Sequence, residues 1–112
     1  MKLWYFGHPY SSNSENGKLE NYNLCNERTV QLLDLGYKIF SPISHSHPLQ
    51  KVKQNSSEFW INLDSAFMDR CDGLILAPNW KNSKGCKIEY EYFMKQNKPI
   101  LYFADIVVAD SK

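Results

Sequence analysis

The sequence predicts an α/β fold built on a mainly parallel sheet, and three observations predict it. Short apolar runs bounded by Gly and Pro alternate with longer segments whose apolar residues recur every three or four positions. The order reads β-α-β-α-β-α-β, and strands that alternate with helices call for right-handed crossovers and a parallel sheet. One run, Gly73-Leu74-Ile75-Leu76-Ala77, is apolar throughout, as suits a central strand covered on both faces.

Each element follows from its own residues. Leu3 to Phe6 reads as the first strand, stopped by Gly7 and Pro9. After the polar stretch from Ser11 to Gly17, the residues Leu19, Tyr22, Cys25, Thr29, Leu32 and Leu33 mark one face of a helix. Gly36 stands where a left-handed C-terminal cap is needed. Tyr37 to Phe40 is a second strand, cut by Pro42. Residues 43–56 are polar and turn-rich and read as the longest loop. Ser56-Ser57-Glu58 opens a second helix, with Trp60, Leu63 and Phe67 on one face and an end near Cys71. Asp72, just before the third strand, reads as a cap or turn residue. Pro78 to Asn82 is a loop, and Ser83 caps a helix running to about Asn97. Pro99 to Phe103 is the fourth strand, and Ile106-Val107-Val108 adds a short edge strand. The expected architecture is a flavodoxin-like three-layer sandwich with four or five strands in the order 2-1-3-4(-5), forming one domain over residues 1–112.

Composition bounds the function. With 112 residues, 43 % apolar and 22 % charged, the chain fits a single globular domain. Folding at this length hides roughly 65 % of the unfolded surface, enough for a modest core. The net charge is +1 and Lys and Arg form no run, which speaks against nucleic-acid binding. Three cysteines without a C-x-x-C pair fit a reducing compartment. No apolar stretch nears membrane-spanning length, so the expectation is a soluble, cytoplasmic protein with no membrane partner. Aromatics make up 14 % of the chain, and rings such as Trp80, Tyr90 and Tyr92 are expected to be covered in a homo-oligomer, a dimer or higher.

In sheets of this kind ligands bind at the carboxyl ends of the strands, near the switch between strands 1 and 3. That rule selects Gly7, His8, Pro9 and Tyr10, then Ser41, His45 and His47, then Asn79, Trp80, Ser83 and Gly85. Gly7 permits close approach of the backbone. Gly85 falls in the first turn of a helix, where Gly is a poor helix former, so close approach there is its expected use. Glu89 lies one turn further on the same face. Helical side chains lean toward the N-terminus, which carries this carboxylate toward the ligand edge. Asp64 borders the Trp60-Leu63-Phe67 stripe. His8, His45 and His47 match no standard zinc spacing, and no metal or cofactor is expected. Neither phosphate-loop, dinucleotide nor nucleophile-elbow motifs occur.

Three stretches together resemble the nucleoside 2-deoxyribosyltransferase-like superfamily, including its nucleotide N-glycosidase branch. They are Tyr5-Phe6-Gly7, the pair Asp64 and Asp72 ahead of the third strand, and Ser83-x-Gly85-x-x-x-Glu89 followed by Lys98-Pro99-Ile100. The resemblance implies an enzyme that cleaves or transfers the N-glycosidic bond of a nucleoside or nucleotide. Glu89 would attack C1′ to form a covalent glycosyl ester, as carboxylates do in retaining glycosidases. It also implies that Asp64 is the second carboxylate, that Tyr5 orients Glu89, and that the helix start at Ser83 to Gly85 receives a 5′-hydroxyl or 5′-phosphate. The alternative is a non-catalytic nucleotide-binding module of the same fold. Tyr90 directly after Glu89, and the lack of an Arg soon after the first strand, would suit that alternative.

Overall fold

The computed structural model describes residues 1–111. Four strands, β1 (Leu3–Gly7), β2 (Lys38–Phe40), β3 (Gly73–Leu76) and β4 (Ile100–Tyr102), pair in parallel in the order β2-β1-β3-β4. Helices α1 (Glu15–Asp34), α2 (Pro42–Val52), α3 (Ser57–Arg70), α4 (Lys84–Lys95) and α5 (Phe103–Asp110) flank the sheet, and a 3-10 turn spans Trp80–Asn82. This is the flavodoxin-like three-layer arrangement with the expected strand order.

Alternation along β1 and β3 divides the core into two clusters. Trp4, Phe6, Ile75 and Ala77 pack with Cys25 and Leu32 of α1 and Phe103 of α5. Tyr5, Leu74 and Leu76 pack on the other face with Met68 of α3 and Cys86 and Phe93 of α4. Asp72 fixes the register of the two central strands. Its carboxylate accepts the Leu3 N–H at 2.7 Å, and its own N–H donates to the Leu3 carbonyl at 2.7 Å. Gly36 takes φ +97°, the left-handed cap that the end of α1 requires.

Two segments differ from their sequence reading. Residues 43–56 are not a long loop, because α2 occupies Pro42–Val52. Ser41 caps it by accepting the Ser44 N–H, Pro42 supplies a preset first-turn φ, and Ile43 buries against the core. Those three anchors outweigh the turn-forming residues that follow. Ile106-Val107-Val108 is not an edge strand but part of α5, so the sheet has four strands. Phe103, Ile106 and Val107 stand three and four residues apart and cover the first cluster together, which overrides the strand preference of β-branched side chains. Among the described residues no helix is long and apolar enough to cross a membrane.

Candidate active site

A cleft of about 370 Å³ opens where the end of β1 meets α2, α3 and the start of α4. Three acidic groups reach it from three different elements: Tyr5 from β1, Asp64 from α3 and Glu89 from α4.

Tyr5 is fully buried, its ring lying 6.0 Å from Phe40 and 5.8 Å from Phe93. Its buried hydroxyl makes no well-formed hydrogen bond, yet it stands beside both carboxyls and stabilises their ionised forms. Burial outweighs that help. It pushes Glu89 up to about 8, with the neighbouring Asp64 adding to the rise. Burial likewise lifts Asp64 to about 6. The phenol of Tyr5 is itself raised well above its usual range, by burial first and by the Glu89 charge second. One oxygen of Asp64, Oδ1, is buried without a partner, and so is the indole N–H of Trp60 one helical turn earlier. Trp60 also lines the cleft. Buried polar atoms are normally satisfied, so three orphans around one cleft make it the candidate place for a ligand.

The two glycines act differently. A Cβ built on Gly7 would stand 2.9 Å from Glu89 Oε1 and 3.1 Å from Leu76 Cδ2, so the carboxylate occupies space that only a glycine leaves free. Gly7→Ala is therefore expected to fold with a loss of about 1–2 kcal/mol, at the low end for an overpacked site because the clashing oxygen is the end of a flexible side chain. If Glu89 acts on a substrate, its displacement should cost about a hundred-fold in turnover. Thermal melts alongside rate measurements check both; unchanged turnover would detach Gly7 from the site. Gly85 meets only Ser83 Oγ, at 4.0 Å, so the space above it is open to the cleft. Ser83 Oγ accepts the Cys86 N–H at 3.2 Å, which leaves the Lys84 and Gly85 N–H groups without intrahelical acceptors.

His8 lines the cleft but is chemically silent. Its Nδ1–H donates to the Pro9 carbonyl at 2.8 Å, and Nε2 accepts from Arg28 Nη1 at 3.0 Å. Arginine has only donors, so this tautomer is fixed, and burial drives the ring down to about 4. Tyr10 lines the cleft as well, its hydroxyl 2.7 Å from His47 Nδ1.

The remaining sequence-selected residues stand outside the cleft wall. The Pro9 carbonyl holds His8. Ser41 is buried against Cys25 Sγ at 3.3 Å and Ser44 Oγ at 2.7 Å. His45 packs on Phe40 and Phe67, whereas His47 stacks on Tyr22 with centroids 4.0 Å apart. Asn79 takes a left-handed φ of 66° at the turn. Trp80 packs 4.9 Å from Tyr90 and 6.2 Å from Tyr102, and the Tyr92 hydroxyl donates to Asp69, so these rings find partners within the chain. No group of three or more metal-ligating side chains occurs among the described residues.

Among the wall residues that sequence reasoning missed are Lys18, Ser46, Gln50 and the Trp60 indole. Ser46 and Gln50 share a face of α2 at four-residue spacing, a signal erased by reading that segment as a loop. Trp60 stands four residues before Asp64, and that spacing was available in the sequence.

The family described as Domain of unknown function (DUF1937) matches residues 2–105, and the chain belongs to that family. No curated protein matches the chain.

Proposed function

We propose that this DUF1937 chain cleaves or transfers the N-glycosidic bond of a (deoxy)nucleoside or nucleotide. One observation carries the reading: two carboxyls with separated proton affinities, Glu89 and Asp64, flank a buried and unpartnered tyrosine hydroxyl in one cleft. The resemblance of Ser83-x-Gly85-x-x-x-Glu89 to the deoxyribosyltransferase-like superfamily supports the same assignment.

In the proposed reaction the Glu89 carboxylate bonds to C1′ as the C1′–N bond breaks, and the leaving base takes that electron pair and a proton from Asp64. Water or a second base then gives its proton to the Asp64 carboxylate and attacks C1′, the ester bond breaks, and Glu89 returns as carboxylate. Between pH about 6 and about 8 the two carboxyls hold a single proton, and at rest it belongs to Glu89. The productive arrangement has it on Asp64. Burial favours the proton on Glu89 in the empty cleft, and the positive charge growing at C1′ favours the ionised Glu89 that results when it moves.

Incubation with deoxynucleosides and their monophosphates tests the proposal through chromatography of released base. A 2-fluoro-deoxynucleoside should leave one deoxyfluororibosyl group on the peptide that contains Glu89, detected by intact mass and mapped. Absence of free base from every substrate would remove the proposal. The second reading, a nucleotide-binding module, draws on the same protonated Glu89: a neutral buried carboxyl both donates and accepts, and so recognises a ligand without attacking it. It predicts a melting temperature that climbs with nucleotide concentration and no base release.

A further inference from the structure

We propose that a second cavity, beside the cleft and between α1 and α2, is a binding subsite for a phosphate group. This cavity has a volume of about 270 Å³ and shares Tyr10, Lys18 and Gln50 with the cleft, so one ligand can reach both. Its other walls include His47, Lys51 and Gln54.

The hydrogen-bond arrangement of His47 indicates what is missing. The ring is 6 % exposed and stacked on Tyr22, and its Nδ1 lies 2.7 Å from the Tyr10 hydroxyl. No other acceptor serves that hydroxyl among the described residues. In the tautomer where Tyr10 donates to Nδ1, both atoms are satisfied and the ring proton sits on Nε2. Nε2 is buried without a partner. The charged groups facing the ring are Lys51, Lys18 and Glu15. Glu15 approaches Lys18 at 3.7 Å, but its side chain is 87 % exposed and such a pair is weak. The cavity thus assembles an N–H donor and two ammonium groups against a single solvated carboxylate. That set calls for an anion with several acceptor oxygens, and phosphate is the common group that offers them.

The subsite lies away from the α4 N-terminus and is reached from the cleft past Tyr10. Joined to the glycosidic reading, on which this extension rests, it makes the ligand a nucleotide whose phosphates run along α1 and α2 while the sugar meets Glu89.

The test uses the full chain with nitrogen-15 histidine, titrated with sodium pyrophosphate at constant ionic strength. The His47 ring resonances should move saturably while those of exposed His45 stay in place. Lys51→Ala should weaken pyrophosphate and ADP about three- to five-fold and leave adenosine affinity unchanged. ADP should bind more tightly than either adenosine or pyrophosphate. Indifference of His47 to pyrophosphate, or equal affinities for wild type and Lys51→Ala, overturns the subsite. ADP no tighter than pyrophosphate overturns the link to the cleft. The two proposals fail separately: base release without a His47 response rejects the subsite alone, and a His47 response without base release from any nucleoside rejects the glycosidic reading.

Discussion

Glu89→Gln is expected to abolish base release, by roughly a thousand-fold or more, and to make the fold more stable above neutral pH. Both effects come from the same burial. Glu89 titrates near 8 in the folded chain against an ordinary 4.5. A carboxyl whose folded value is raised contributes stability that is complete below about pH 4.5 and is lost as pH climbs toward about 8. Asp64, lifted from 3.8 to about 6, acts in the same direction over a lower window. The wild-type protein should therefore lose about 2–5 kcal/mol between pH 5 and 8 from Glu89, at no more than about 1.4 kcal/mol per pH unit. The glutamine keeps the shape and never ionises, so only the Asp64 contribution remains and it is finished by about pH 6. Urea melts of both proteins at pH 5, 7 and 9 measure the gap. It should widen with pH and level off above 8. Parallel curves would mean that Glu89 is solvated and the cleft is not what it has been described to be.

The largest loss of stability is expected from Gly73→Ala. An added Cβ would stand 2.4 and 2.7 Å from the Trp4 ring and 2.8 Å from the Pro99 carbonyl oxygen. Neither neighbour can retreat easily. Trp4 is buried in the first core cluster and meets Tyr37 edge-on at 6.5 Å, and the Pro99 carbonyl accepts the Leu74 N–H at 3.0 Å. Relief requires β1 or β4 to shift against β3, which disturbs the paired Leu3–Asp72 bonds. A cost of about 3 kcal/mol is the expectation, seen as a fall of about 10–15 °C in melting temperature. A variant melting within two degrees of wild type would show that the strands are looser than these contacts imply.

The sheet was legible because its signals are local and unambiguous. Leu3 to Phe6 and Gly73 to Ala77 are short, apolar and punctuated, and Gly36 fills a position that only a left-handed residue suits. The failures came where two local preferences compete and tertiary burial decides. Ile106 to Val108 have strand propensity, but the surface they cover needs a helical stripe with Phe103. Ser41-Pro42 is a helix start, yet Ser44 to Pro48 read as turns, and the decisive burial of Ile43 is invisible in sequence. The site follows the same division. The strand-edge rule and helix spacing bring Tyr5, Gly7, Ser83, Gly85, Asp64 and Glu89 together. The histidines of α2 were selected for a loop that does not exist. On a helix His45 and His47 point to different sides, one toward Phe67 and one toward Tyr22.

The fixed imidazole of His8 settles how kinetics from this cleft are to be read. Histidine is the usual source of an inflection near neutrality, and here the cleft's one histidine has both nitrogens engaged and titrates near 4. For a nucleoside without phosphates, which does not extend to His47, a rate profile that bends between pH 6 and 8 therefore reports the carboxyl couple and not His8.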